Sequence, residues 1–116
     1  MKLEVTSRKE RDDIAVVRVS GRLTIQHGTR LLEEVKRLAE AGTQRVVVDL
    51  SQVSYIDSFG LGQMVSSHTT LRRRGGQARF AGIQQKIYEL IEISGVPKIL
   101  NWDPDVRTGL AKLSGT

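Results

Sequence analysis

Two hydrophobic periods alternate along the chain, and each change of period marks a new element of secondary structure. Residues 14–20 and 46–50 are dense in β-branched side chains, which is typical of strands. Weaker signals of the same kind predict an opening edge strand over 3–7 and a short strand over 77–81. Apolar positions recur at helical spacing in three further segments, so amphipathic helices are predicted over 31–39, 61–71 and 86–94.

The C-terminal segment carries two further signals. Ile99-Leu100 predicts a brief strand, and Asp103-Pro104 predicts the start of a last helix, with Asp103 as its N-cap. The complete order is ββαβαβαβα, which predicts one α/β domain over residues 1–116, with a mixed central β-sheet and helices packed against it. Because residues 46–50 are almost continuously apolar, we expect them to form a central strand that is buried on both faces.

Charge gives weak information about partners. The chain has 18 Lys and Arg against 13 Asp and Glu, a net charge of +5, which suits nucleic acid or an acidic protein. The basic residues are dispersed, however, and their one run, Arg72-Arg73-Arg74, falls where cations stabilise the end of a helix. Aromatic residues that could stack on bases are few, so no direct contact with nucleic acid is expected.

Several classes of protein are disfavoured by what the sequence lacks. There is no cysteine, which excludes disulfides and thiolate chemistry. The N-terminus does not resemble a signal peptide, and no apolar run approaches the ~20 residues that span a bilayer. We therefore expect a cytoplasmic protein without membrane insertion.

Catalytic and metal-binding motifs are also weak. His27 and His68 are the only histidines and have no ligand-like neighbours, so no metal or other cofactor is predicted. His68 falls on the apolar stripe of its helix and is expected at the core margin with its ring hydrogen-bonded. Ser58 lacks a Gly-x-Ser-x-Gly context, and His68 lies about 15 Å along the same helix. No enzymatic activity is predicted.

The strand-to-helix junction at Asp57-Ser58 is the strongest candidate site. The first N–H groups of a helix are unpaired, so these side chains could cap the helix, contact a partner or accept a phosphate. Capping is the commonest of the three uses. Phe59 follows directly and is either a core residue or an exposed anchor. Gly60 and Gly62 are expected to let the helix start pack closely against a neighbour.

Five segments of the chain carry a resemblance to a known family: Val17-Arg18-Val19-Ser20-Gly21-Arg22-Leu23, Val46-Val47-Val48-Asp49-Leu50-Ser51, Ile56-Asp57-Ser58-Phe59-Gly60-Leu61-Gly62, Arg74-Gly75-Gly76 and Ile93-Ser94-Gly95-Val96. The most specific of them is the Asp-Ser-x-Gly-Leu element, and together they extend over nearly the whole chain. With these segments, the chain resembles the STAS domain family, of the bacterial anti-sigma factor antagonist type.

This resemblance implies a partner-switching role in sigma-factor-dependent transcription. The unphosphorylated protein would bind an anti-sigma factor of the GHKL serine kinase type and so free the sigma factor. The kinase would phosphorylate Ser58, the complex would separate, and a PP2C-type phosphatase would reset it. ATP would belong to the kinase, so the chain would be a substrate and not an enzyme.

The implied contact surface centres on the junction and on the following helix. Its members are Asp57, Ser58, Phe59 and Gly60, the face of the following helix that is expected to be exposed (Gln63, Ser66, Ser67 and Thr70), and Thr24 in the adjacent 21–26 loop. Two residues depart from the family, which often has a small residue in place of Phe59 and commonly an acidic one in place of Thr24. The alternative is a constitutive, unphosphorylated STAS scaffold or subunit of a sensory or lipid-transport assembly. The sequence specifies no oligomeric state.

Overall fold

The computed structural model describes residues 2–114. The elements follow the predicted order: β1 (Glu4–Arg11), β2 (Ile14–Leu23), α1 (Arg30–Glu40), β3 (Arg45–Ile56), α2 (Ser58–Arg73), β4 (Gln77–Ala81), α3 (Gln85–Glu92), β5 (Trp102–Asp103) and α4 (Val106–Ser114). Short 3-10 turns lie at Ile25–His27 and Val96–Ile99. None of the helices in this part of the chain combines the length and hydrophobicity that crossing a bilayer requires.

The sheet is mixed, as predicted, and the Asp57-Ser58 junction lies at the carboxyl ends of its strands β2 and β3. The five strands lie in the order β1-β2-β3-β4-β5, with β1 antiparallel to β2 and the other pairs parallel. Leu23 pairs with Ile56, so β2 and β3 end side by side. The loop that follows β2 and the first turn of α2 therefore meet at the carboxyl edge of the sheet, where ligands and partners of α/β folds commonly bind.

Helices cover both faces of the sheet. The main core lies between one face and the apolar sides of α1, α2 and α3, and a smaller cluster lies under α4 on the other face. Val46 and Val48 point into the main core and Val47 into the smaller one, and all three are fully buried. This alternation confirms that β3 is buried on both faces, as its continuous apolar sequence predicts.

The C-terminal predictions need two corrections. The segment at Ile99 is the end of a 3-10 turn, and the last strand lies later, at Trp102–Asp103. Asp103 is not a helix cap, because it belongs to that strand, and α4 begins only at Val106. The first turn of α4 is capped by Asp105 instead, whose Oδ1 accepts the N–H of Thr108 at 2.8 Å.

Asp103 has a different function in the structure, as the buried centre of a charge cluster. Its side chain is fully buried and accepts hydrogen bonds from Arg79, Nε to Oδ2 at 2.7 Å and Nη2 to Oδ1 at 3.2 Å. Lys112 Nζ lies 2.9 Å from Oδ1. Burial alone would raise the pKa of Asp103, but the hydrogen bonds from Arg79 and Lys112 outweigh it and lower the pKa.

Replacing Asp103 by asparagine is expected to cost about 2 kcal/mol of unfolding free energy at pH 7, because Arg79 loses its charged partner while half-exposed Lys112 regains water. Since the folded-state pKa is lowered, the stabilisation is complete above the ordinary value of about 3.9 and is lost as the pH falls through the folded pKa. Urea denaturation should therefore show the difference between variant and wild type shrinking at pH 3. Exposed Asp12→Asn is the control; a pH-independent difference would contradict the charge-cluster assignment.

Candidate functional site

Asp57 hydrogen-bonds to three parts of the chain at the junction: the start of α2, the loop after β2 and the end of β2. It is the N-cap of α2, and its Oδ1 accepts the N–H of Gly60 at 2.8 Å, which confirms the predicted capping. Its Oδ2 accepts the N–H of Ile25 at 3.1 Å, and its own N–H donates to the carbonyl of Leu23 at 3.3 Å. The carboxylate thus holds the loop after β2 against the helix start, and both of its oxygens are occupied by backbone groups.

Gly60 is required for this close approach. A Cβ at this position would lie 2.1 Å from the carbonyl oxygen of Leu23, well inside the closest contact that real side chains make. Gly62 is different, because it is exposed and a Cβ there would meet nothing within 4 Å. The prediction of close packing is therefore right for Gly60 and wrong for Gly62.

Ser58 is the first residue of α2, and its side chain is exposed on a ridge between two hollows. A hollow of about 570 Å³ lies between α2 and α3, with Ser58, Leu61, Leu90 and Ser94 in its lining; we call it the α2–α3 groove. A second, of about 340 Å³, lies between α1 and α2, with Thr29, Leu32, Ser58, Phe59 and Ser66 in its lining; we call it the α1–α2 groove. Any group added to the Ser58 hydroxyl would therefore border both grooves.

Apolar side chains are exposed around Ser58. Tyr55 is 38% exposed and Phe59 is 36% exposed. Of the two alternatives for Phe59, core residue or exposed anchor, the structure therefore shows the exposed one, which favours a role in contacts. Ile25 and Leu90 are about two-thirds exposed, at 65% and 64%. The guanidinium of Arg22 stacks on the Tyr55 ring, 4.6 Å from its centroid. Tyr55 and Leu90 line the α2–α3 groove with Ser58, Phe59 lines the α1–α2 groove, and the backbone N–H of Ile25 binds Asp57. We call these four exposed side chains the apolar rim of Ser58.

Four of the predicted contact residues are buried: Gly60, Gln63, Ser67 and Thr24. For Gln63 and Ser67 this is contrary to the expected exposure. Gln63 is 3% exposed; its Nε2 donates to the carbonyl of Gly28 at 2.9 Å, and its Oε1 accepts the N–H of Leu32 at 3.4 Å. Ser67 is fully buried, four residues further along the same face of α2. Gln63 therefore connects α2 to the segment at Gly28 and Leu32, whereas the hydroxyl of Ser67 has no hydrogen-bond partner within residues 2–114. Of the remaining helix residues predicted to be exposed, Ser66 is exposed and Thr70 is half-buried.

Thr24, in the loop after β2, is also buried. It is 5% exposed, and no group in residues 2–114 hydrogen-bonds its hydroxyl. The loop after β2 presents Ile25 to the surface instead. The sequence analysis did not single out Ile25 or Leu90, although it placed the 21–26 loop next to the contact surface. The available signal for Ile25 was an isolated apolar residue in an otherwise polar loop, between Thr24 and Gln26.

His68 lies at the core margin, as predicted, with 9% of its surface exposed. Its Nδ1 has no hydrogen-bond partner within residues 2–114, so the expected bond is not present at that nitrogen. Burial lowers the pKa of His68, and the nearby charge of Arg72 lowers it further, so both favour the neutral ring. Across the same residues, no group of three or more His, Cys, Asp or Glu side chains could hold a metal ion.

Known proteins match the sequence of this chain over most of its length. The STAS domain family model matches residues 6–109. An anti-sigma-B factor antagonist from Staphylococcus epidermidis is 31% identical over 78% of this chain and 83% of its own length. One from Bacillus subtilis is 28% identical over 87% of this chain and 91% of its own.

The fold is shared with a solved structure as well. The crystal structure of an anti-sigma factor antagonist from Mycobacterium paratuberculosis superimposes with a TM-score of 0.82, covering 97% of this chain and 94% of that one at 19% identity. The domain match spans nearly the whole chain and includes the Asp57-Ser58 junction. The chain therefore belongs to the STAS domain family.

Proposed function

We propose that this chain is an anti-sigma factor antagonist whose binding is ended by phosphorylation of Ser58. The observation that carries the proposal is the position of Ser58: an exposed hydroxyl at a helix start, on the ridge between two grooves and inside an apolar rim. The relatives named as anti-sigma-B factor antagonists support the same role.

The proposed partner is an anti-sigma factor of the GHKL serine kinase type. Phe59, Ile25 and Leu90 supply the exposed apolar area that protein interfaces bury at their centre. Ser66 and Thr70 continue this surface along α2. Partner-binding and kinase action would then use one surface, because the kinase must reach the hydroxyl at the centre of the contact.

Phosphorylation would end the contact by local electrostatics. The γ-phosphoryl group of the kinase's ATP would pass to Ser58 Oγ, with ADP as the leaving group and the serine proton taken by the kinase. The phosphate brings a charge of about −2 close to Asp57, and the positive end of the α2 dipole offsets only part of it. An apolar partner surface over Phe59 would have to desolvate that charge, which is costly. A PP2C-type phosphatase would restore the hydroxyl by hydrolysis.

The phosphoryl-transfer step is tested with the purified GHKL-type kinases of the source organism. With ATP, intact-mass spectrometry should show one added phosphoryl group on the wild type and none on Ser58→Ala. Ser66→Ala keeps Ser58 and removes another exposed hydroxyl of α2, so it should be modified like the wild type. Treatment with the PP2C-type phosphatase should reverse the mass change. Protein isolated from its native host with Ser58 always unmodified, and inert to every such kinase, would favour the constitutive scaffold instead.

A further inference from the structure

The surface next to Ser58 extends along the whole of α2. A further hollow of about 330 Å³ lies between α1 and α2, lined in part by Leu32, Lys36, Val65, Ser66, Thr70 and Arg73. It shares Leu32 and Ser66 with the α1–α2 groove, so the two hollows adjoin. From Ser58 to Arg73 the helix rises about 22 Å, enough to accommodate several residues of a bound segment.

The far part of this surface is basic, and we call it the basic end: Lys36 on α1 and Arg73 on α2. Neither cation has an ion-pair or hydrogen-bond partner within residues 2–114. No Asp or Glu is among the residues that line the α1–α2 groove or the hollow adjoining it. Glu33 of α1 accepts a hydrogen bond from Thr29 Oγ1 at 2.6 Å and lines a different hollow. Within residues 2–114, the two cations of the basic end therefore form no ion pair that a partner's carboxylate would have to break.

The near part is apolar. Phe59 and Leu32 line it beside Ser58, and Val65 lies partly buried in the adjoining hollow. A ligand that matches both parts needs an apolar side chain near Phe59 and negative charge about four helical turns away. Free phosphate would match only the basic end, and a purely apolar ligand only the near part.

We propose that this continuous surface binds an acidic segment of the anti-sigma factor, with an apolar residue beside Phe59 and carboxylates at Lys36 and Arg73. The inference rests on the proposed function and specifies the chemistry of the partner. It also assigns a role to Lys36 and Arg73, two of the basic residues that contribute to the net charge of +5. The other basic residues are dispersed along the chain. Opposite charge across an interface mainly raises the association rate and orients the partner.

The matched pair Arg73→Glu and Arg72→Glu tests this inference. Both residues are exposed in the last turn of α2, so the two variants lose the same favourable interaction with the helix end. Arg73 lines the hollow and Arg72 does not. Titration calorimetry against the source organism's GHKL-type anti-sigma factor should show about a tenfold loss of affinity for Arg73→Glu in 50 mM salt, shrinking in 500 mM salt. Arg72→Glu, which does not line the hollow, should bind as tightly as the wild type.

Two further variants separate this result from misfolding and from the proposed function. Lys36→Gln and Arg73→Gln remove charge without reversing it and should each weaken binding about threefold, with unchanged thermal unfolding. Equal losses for Arg72→Glu and Arg73→Glu would show general charge attraction and overturn the inference. Unaltered binding by all four variants, while Ser58→Asp loses affinity, would overturn the inference and leave the proposed function standing. Absence of binding by the wild type would refute both.

Discussion

Replacing Gly60 by alanine is expected to destabilise the protein by about 3 kcal/mol, the largest stability effect that the site predicts. The added Cβ would lie 2.1 Å from the Leu23 carbonyl oxygen, which is backbone and cannot rotate away. The same oxygen accepts the N–H of Asp57, so moving it disturbs the junction as well. We therefore expect the variant to lose both unfolding free energy and partner binding.

Gly62→Ala is the matched control, two residues along the same helix. A Cβ there meets nothing within 4 Å, and alanine is the better helix former by about 1 kcal/mol. Chemical denaturation should therefore move the two variants in opposite directions from the wild type. If Gly60→Ala were as stable as Gly62→Ala, the close contact between α2 and the end of β2 would be wrong, and with it the placement of Ser58.

Phosphorylation of Ser58 is expected to weaken anti-sigma factor binding at least about 100-fold, which corresponds to about 2.7 kcal/mol. The phosphate borders both grooves, so it interferes with a partner in either one. It also places strong hydrogen-bond acceptors among exposed apolar side chains. A bound partner would exclude the water that hydrogen-bonds these acceptors, which costs binding free energy. Asp57 cannot turn away to relieve the repulsion without losing its bonds to Gly60 and Ile25.

Substitutions should reproduce this effect in proportion to their charge. Ser58→Ala keeps the helix cap, which belongs to Asp57, and should bind within about threefold of the wild type. Ser58→Asp carries one charge on a shorter side chain and should lose about tenfold. Thr6→Asp adds the same charge on the exposed edge strand β1 and should leave binding unchanged. A comparable loss for Thr6→Asp would attribute the effect to net charge and not to the site.

The order of the elements and the helix cap could be predicted from the sequence because both depend on local pattern. The apolar run of β3 specifies a strand buried on both faces, and the Asp57-Ser58 pair before a helical stripe indicates that one of the two residues is the N-cap. The family resemblance added Ser58 as the phosphate acceptor, which stays a prediction.

The orientation of individual polar side chains could not be predicted in the same way. Gln63 is buried because its hydrogen-bond partners, at Gly28 and Leu32, come from a segment about thirty residues earlier. Asp103 looks like a helix cap until Arg79 and Lys112 are placed beside it. For both residues, a tertiary contact provides the hydrogen-bond partners of the polar side chain. The hydrophobic pattern of the sequence does not indicate that contact.

The central claim is that one phosphate on Ser58 separates this chain from its anti-sigma factor. Isothermal titration calorimetry should compare unphosphorylated and stoichiometrically Ser58-phosphorylated protein against the same purified anti-sigma factor, at one salt concentration and pH. We predict tight binding of the unphosphorylated form and affinity lower by at least about 100-fold for the phosphorylated form. Equal affinity of the two forms would contradict the claim directly.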